Sequence, residues 1–195
     1  MTRLAGLDEA GRGPLAGPVV ASAVILAPDA RIRGLDDSKR LLPEERDRLF
    51  VLIQARAMAV GVGIVDSETI DRVNILQATR LAMQAALTAL AMEPELVLTD
   101  FVKLDGLGCP QQNLVEGDRR SATVAAASIV AKVTRDRIMA DADRMYPEYG
   151  FGRHKGYPTE EHRLALWRHG PCALHRRTFN GVWTQGTLVF DGEED

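Results

Sequence analysis

Residues 3–26 read RLAGLDEAGRGPLAGPVVASAVIL, and the order of elements inside this stretch sets the fold. Arg3–Leu7 and Pro18–Leu26 have the character of two strands joined by a glycine-rich turn. The second is dense in Val, Ile and Ala, the composition of a strand covered on both faces. Asp8 and Glu9 follow the first strand directly, and Gly11-Arg12-Gly13-Pro14 ends it. Neighbouring side chains on a strand point to opposite faces, so an Asp-Glu pair serves one site only where the strand is ending. A dinucleotide loop is excluded here. The glycines are spaced G-x-G-x-x-x-G and lead into a strand, with no helix whose N-terminus could hold a pyrophosphate. What the loop offers is close backbone approach to a phosphate or sugar, with Arg12 as a donor.

Working outward, strands and helices alternate. Pro43, Glu44 and Glu45, preceded by Ser38, open a helix to about Arg56, since proline and acids suit a first turn. Its apolar positions Leu49, Val51, Leu52 and Ile53 are expected on a core face. Ala57–Val65 reads as a third strand, Asp66-Ser67-Glu68 caps a short helix, and Asn74–Ala91 is a longer one rich in Ala, Leu and Met. Pro94 breaks it, and Glu95–Thr99 is a strand ending on Asp100. A short extended piece near Gln112–Val115 precedes a long helix over Ser121–Met145. Its first turns, SATVAAASIVA, are small and apolar enough to pack closely on a sheet. Tyr146–Pro158 reads as a loop and Thr159–Arg168 as a helix with Thr159 as N-cap. The pattern is α/β: a sheet flanked by helices, with a helical C-terminal third. One domain over 1–195 is expected, with a catalytic core over about 1–145, a basic helical region over about 146–180 and a tail over 181–195.

Composition narrows the function classes. With 46% hydrophobic and 26% charged residues, the chain has a real core and is neither disordered nor a disulfide-stapled miniprotein. Cys109 and Cys172 form no CxxC pair, which argues against a zinc knuckle and for a reducing compartment. The N-terminus lacks the character of a signal peptide and no apolar run approaches a membrane span, so a cytoplasmic, membrane-free protein is expected. The net charge of −3 conceals an uneven distribution. Residues 119–177 hold 12 basic and 6 acidic side chains, whereas residues 1–118 hold 12 and 17, and 178–195 hold four acids and no base. Twenty of the 24 basic residues are Arg, the side chain best shaped for bidentate phosphate contact. A basic third beside an acidic body suits a protein that grips a polyanion with one face.

Asp8, Glu9, Asp100 and Asp118 sit at strand ends or just before the long helix. Acids that converge from separate elements repel one another unless a cation lies between them. Hard oxygen donors suit Mg²⁺ or Mn²⁺ rather than zinc, and such a cluster can hold two ions about 4 Å apart for phosphodiester cleavage. Taken singly, each acid also reads as a cap or a surface turn.

Four ordered blocks carry a resemblance: DEAGRGPLAGPVVASAVIL from Asp8, Asp37-Ser38-Lys39, Gly117-Asp118 with SATVAAASIVAKVTRDR, and Tyr149-Gly150-Phe151 with HKGYPT. From about Leu4 to Phe179 the chain resembles the bacterial ribonucleases HII, of the type 2 ribonuclease H family. The resemblance implies a ribonuclease H-like mixed sheet flanked by helices, with a helical C-terminal substrate-binding region. It implies endonucleolytic cleavage of RNA in RNA/DNA hybrids and incision 5′ to single ribonucleotides in duplex DNA, leaving 5′-phosphate and 3′-hydroxyl ends. The implied role is removal of ribonucleotides from DNA and of RNA primers. By motif position Asp8, Glu9, Asp100 and Asp118 are the implied catalytic and metal-binding carboxylates, holding two Mn²⁺ or Mg²⁺ ions. Gly11, Arg12 and Gly13 would recognise the ribose 2′-hydroxyl, the group that separates RNA from DNA. Tyr157 would pack on the sugar of the next deoxynucleotide, and Ser38, Lys39 and C-terminal basic residues would hold phosphates without reading sequence. The third carboxylate of many relatives is followed by Gly. Asp100 is preferred because it ends a strand, but Asp105, before Gly106, stays its rival. Asp136, read as a solvated or salt-bridged helix residue, is the rival to Asp118.

The ribonuclease HIII branch carries an added N-terminal domain, and with only Met1–Arg3 before the first strand that branch is not expected. A catalytically silent hybrid-binding module is the alternative from another class. The four acids argue against it, because a pure binder of a polyanion gains nothing from concentrated negative charge. His154, His162, His169 and His175 are expected at the nucleic-acid face or on the surface, Trp167 and Phe179 in the core, and the methionines in helix packing. In the tail, Gln185, Leu188 and Phe190 are similar to the short pattern by which replication enzymes dock on sliding clamps. A monomer is expected.

Overall fold

The computed structural model describes residues 2–100, 102–114, 117 and 121–182. Five strands form one mixed sheet: β1 (Leu4–Ala10), β2 (Val19–Leu26), β3 (Ala57–Val65), β4 (Leu96–Thr99) and β5 (Gln111–Asn113). Their order is β3-β2-β1-β4-β5. β1, β2 and β3 run as an antiparallel meander, whereas β1–β4 and β4–β5 are parallel. β1 is longer than the sequence suggests. Its pairing with β2 continues through Asp8↔Ser22, Glu9↔Ala21 and Ala10↔Val20, so both acids lie inside the strand. On the other side its ladder with β4 stops at Leu7↔Thr99. Asp8 and Glu9 are thus held by one neighbour just where the second has ended.

The helices are α1 (Pro43–Arg56), α2 (Ser67–Val73), α3 (Ile75–Thr88), α4 (Ala122–Met145), α5 (Phe151–His154) and α6 (Glu160–His169). One face of the sheet buries Ala5, Leu7, Ala23 and Val97 against Ala82, Met83 and Ala86 of α3. The other buries Val24 against Leu49 and Ile53 of α1 and Ala126, Ala127 and Val130 of α4. A third cluster joins Leu15, Met139, Tyr149, Phe151, Leu166 and Val182, fixing the C-terminal helices to the end of α4. The segment expected as a loop over Tyr146–Pro158 contains a 3-10 turn, Pro147–Tyr149, and α5. Its aromatic side chains explain the difference, because Tyr149 and Phe151 stack at 5.3 Å inside that cluster.

Two expectations about α1 and α6 fail on packing grounds. In α1 only Leu49 and Ile53 are fully buried, four residues apart on one face, while Val51 projects into solvent. In α6 the buried face is His162, Ala165 and Leu166, so Trp167 faces out at 70% exposure. Caps behave as their residue types dictate. Asp66 accepts from the Thr69 amide, Asn74 from Leu76 and Gln77, and Thr159 from His162. At α1 the cap position is Leu42, whose amide donates to the Glu45 carboxylate at 3.1 Å, while Ser38 lies buried further upstream.

α4 packs closely on the sheet. Every residue from Thr123 to Ala131 is buried, and a Cβ on Gly6 of β1 would overlap the main chain of Thr123 and Val124. That approach needs a residue without a side chain. Among the described residues, no helix is long and apolar enough to cross a membrane. Because the obstructing atoms are backbone, Gly6→Ala should cost about 3 kcal/mol, the upper end for overpacking a core. Urea unfolding would read this as a lowered midpoint at unchanged slope.

Candidate active site

Where β1 outruns β4, Asp8 and Asp100 are the next residues on two adjacent parallel strands. Both are half-buried. Glu9 adjoins them: its amide donates to Asp8 Oδ1 at 2.8 Å, and its Oε1 pairs with Arg12 Nη1 at 3.3 Å. Its other oxygen, Oε2, is buried without a hydrogen-bond partner among the described residues. Burial pushes the Glu9 carboxyl above its usual range, Arg12 pulls it back, and the Asp100 charge adds to the rise. Asp118, predicted as the fourth acid, lies outside the described residues. Of the two rivals, Asp105 sits exposed on a loop, and Asp136 is paired with Lys132 at 2.7 Å and Arg46 at 3.9 Å.

A cleft of about 530 Å³ opens over Asp8 and Glu9, and Asp100 is not among the residues that line it. The predicted residues Asp8, Glu9, Gly11, Arg12, Gly13, Ser38, Lys39 and Tyr157 all line it. Tyr157 arrives from the far end of the chain, yet its ring lies beside Gly13, 3.8 Å from where a Cβ would be. Ser38 is buried and tied by its amide to Ser128 Oγ of α4 at 3.3 Å, leaving Lys39 exposed at the rim. Lys132 of α4 also lines the cleft and was not singled out from sequence, although its spacing of four from Asp136 was a readable signal. An adjoining hollow of about 630 Å³ shares Lys132 and Tyr157 and is rimmed by Arg46, Arg137, Arg153 and Lys155. Several of its charges are already matched, Arg137 by Asp47 at 3.2 Å and Arg153 by Glu161.

Behind the glycine loop are two arginines that sequence reading missed. Arg176 is fully buried and donates to the carbonyls of Gly11 at 2.6 Å, Arg12 at 3.1 Å and Gly17 at 3.0 and 2.8 Å. Arg135 is 1% exposed and donates to the carbonyls of Pro18, Ala16 and Lys155 at 2.9, 3.1 and 3.0 Å. Neither has a carboxylate partner among the described residues. Burial draws Arg135 down to about 10, and burial together with the charge of Arg135 draws Arg176 down to about 9, so both stay protonated near neutrality. Nothing in the sequence flags a main-chain carbonyl as an arginine partner. Gly11, at φ 99°, packs directly on Arg135, in a backbone region that favours glycine.

Three of the four histidines, expected at the surface, are buried together. The Cys172 amide donates to His175 Nδ1 at 3.0 Å, so His175 carries its proton on Nε2 and gives it to His162 Nε2 at 3.0 Å. His162 must then donate from Nδ1 to the Tyr157 carbonyl at 2.9 Å. His154 stacks on His162 with ring centres 4.5 Å apart, holding the Tyr149 carbonyl and the Gly156 amide. All three rings are neutral in this arrangement. Only His169 is exposed.

Comparisons with known proteins show the family and the fold. The family model described as Ribonuclease HII matches residues 5–182. A Ribonuclease HII of Geobacillus kaustophilus is 57% identical over 180 residues, 92% of this chain and 69% of the relative. Among solved structures, the ribonuclease H2 of Pyrococcus horikoshii superposes with a TM-score of 0.78 at 27% identity, covering 92% of this chain and 95% of that one. A complex of PCNA with RNase HII from Archaeoglobus fulgidus gives 0.73 at 25% identity, covering 93% and 97%. The fold and these relatives together define a ribonuclease H-type enzyme, a class that hydrolyses RNA in RNA/DNA hybrids. Within that class, the chain belongs to the ribonuclease HII family.

Burial pulls His162 and His175 each down to about 4, against 6.5 for a free imidazole. A depressed base stabilises the fold above its unfolded pKa, and that contribution is lost as pH falls toward the folded value. Between pH 6.5 and 4 the unfolded chain binds more protons, so stability should fall as the pH drops through that range. Denaturant titrations across that range check it, and His162→Gln should flatten the slope.

Proposed function

We propose that this protein cleaves RNA in RNA/DNA hybrids endonucleolytically and incises duplex DNA on the 5′ side of single embedded ribonucleotides, leaving 5′-phosphate and 3′-hydroxyl ends. The observation that carries the reading is one cleft lined by β1 carboxylates, a glycine loop and Tyr157. The first supply hard anionic ligands, the second a close-fitting backbone, and the third an aromatic face.

Among the described residues no group of three or more acids stands close enough to hold a metal, so the reading counts on Asp118 to complete a set suited to two Mg²⁺ or Mn²⁺ ions. That set consists of carboxylate oxygens alone, and the buried, partnerless Oε2 of Glu9 is an anionic donor that needs a cation. Asp8, Glu9 and Asp100 would hold the ions with Asp118. Bound there, two divalent ions supply Lewis acidity to the phosphodiester and lower the pKa of the attacking water. The chain's own residues do the rest. Arg12, paired on one side with Glu9 and 45% exposed, has donors free for a backbone phosphate. Gly11 and Gly13 let the main chain approach the ribose closely enough for the 2′-hydroxyl to be read by backbone groups. Tyr157, 41% exposed beside Gly13, offers a flat surface to the following deoxyribose. Lys39 and Lys132 at the rim add charge that positions the strand without reading sequence.

In the organisation we favour, residues 1–145 form the catalytic core and 146–180 the substrate-gripping region. The protein acts as a monomer in the cytoplasm, removing ribonucleotides from DNA. The tail residues Gln185, Leu188 and Phe190, which lie outside the described residues, would dock on a sliding clamp. The PCNA complex of the A. fulgidus neighbour supports a clamp partner for this fold.

A labelled DNA duplex carrying one ribonucleotide tests the activity. With Mg²⁺ or Mn²⁺ a single nick 5′ to the ribonucleotide is expected, absent with EDTA and absent on an all-DNA duplex. Asp8→Asn and Asp100→Asn should each lower the rate by more than about a hundredfold, whereas Asp105→Asn should leave it within about twofold of the parent. A nick that survives EDTA, or one lost in Asp105→Asn and retained in Asp100→Asn, contradicts the assignment. Deleting residues 183–195 should spare cleavage and abolish clamp binding in a pull-down with the clamp.

A further inference from the structure

The glycine loop and Tyr157 lie far apart in the sequence, and one side chain is hydrogen-bonded to the segments that carry both. Arg135 reaches out of α4 with its guanidinium between the two. On one side it donates to the carbonyls of Ala16 and Pro18, in the turn that follows the loop. On the other it donates to the carbonyl of Lys155, two residues before Tyr157, and its guanidinium carbon lies 5.9 Å from the centre of the Tyr157 ring. Gly11 itself packs on the Arg135 side chain. Leu15 and Gly156 complete the joint through a main-chain hydrogen bond of 2.8 Å. A planar fork with five donors spans three carbonyls in different directions, and a lysine ammonium on a flexible stem does not. The charge also has a cost. It is buried without a carboxylate, so an apolar side chain would be the simpler choice if filling space were the whole task.

We propose that Arg135 is a positioning residue that fixes the distance between the Gly11–Gly13 loop and Tyr157, and with it the preference for an RNA–DNA junction over a continuous hybrid. The inference rests on the roles proposed above for the loop and for Tyr157. A junction reader must present a ribose site and a deoxyribose site at one nucleotide spacing. A continuous hybrid tolerates a looser spacing, because any register along the RNA presents a 2′-hydroxyl to the loop.

The test is a competition between two labelled substrates, a DNA duplex with one ribonucleotide and a continuous RNA/DNA hybrid, cut in one tube by the parent or by Arg135→Lys. Both substrates meet the same folded molecules, so the ratio of their kcat/KM values cancels any loss of folded enzyme. Arg135→Lys should lower the single-ribonucleotide to hybrid ratio by about tenfold, the size expected from losing a buried hydrogen bond made by a charged donor. Gly156→Ala provides a second route. Its added methyl would overlap the Ala16 carbonyl that Arg135 holds, wedging the two segments apart without removing a charge, and the ratio should fall again. A parent that cuts the junction and a ratio unchanged in either variant would overturn the positioning role alone. A parent that does not cut the single-ribonucleotide duplex would overturn the functional reading beneath it.

Discussion

The structure turns on the unequal lengths of the two ladders that β1 makes. Its antiparallel partner β2 runs with it to Ala10, while its parallel partner β4 is spent at Thr99. A strand end held on one side is rigid, because half its backbone groups are still paired, and open, because the other half faces a gap. The acids use both properties. Asp8 and Glu9 are placed by sheet geometry rather than by a loop, and Asp100 enters from the strand that has stopped. Burial is the main reason the Glu9 carboxyl is raised, the Asp100 charge adds to it, and its Oε2 is left without a partner among the described residues. Stability was exchanged here for charge density, an arrangement that makes chemical sense around divalent cations.

The rest of the molecule can be read as support for that gap. α4 lies on β1 and β2 so closely that only a glycine at position 6 admits it. The same helix carries Ser128, Lys132 and Arg135, which reach respectively the Ser38 amide, the cleft wall and the turn after the glycine loop. The last described segment folds back as well. Arg176 fastens the loop's carbonyls, while Asp71 of α2 accepts from the Arg177 and Thr178 amides. The bonds of buried Arg176 fix the loop more firmly than surface ion pairs do, since they lie where water cannot compete.

Much of this was legible in the sequence. Element order followed from hydrophobic period and from the breaks at Gly and Pro, and most of the cleft-lining residues, though not Lys132, followed from the four ordered blocks. What failed did so for identifiable reasons. The end of β1 was misplaced because strand length depends on the partner, and β2 lies beyond the turn. Trp167 and Val51 were assigned to the core on residue type, but a helix buries only the stripe its neighbours touch. The histidines were sent to the surface because a sequence does not show that a carbonyl or another imidazole waits at each ring nitrogen. Arg135 was invisible for the same reason: an arginine bonded to backbone has no partner residue whose identity could betray it.

The parallel pairing of β1 with β4 has a consequence for the order in which the chain assembles. Ala10 and Val20, partners across the first hairpin, are ten residues apart, whereas Leu4 and Leu96 are separated by 92. Closing the longer loop costs about 2 kcal/mol more in chain entropy, and it cannot begin until β4 has left the ribosome. The meander β1–β2–β3 is complete by Val65. In a growing chain the strands that carry Asp8, Glu9 and the glycine loop are therefore all synthesised well before Asp100. The mutual repulsion of the acids is confronted last, when α3 and the sheet are already available to hold β4 against it.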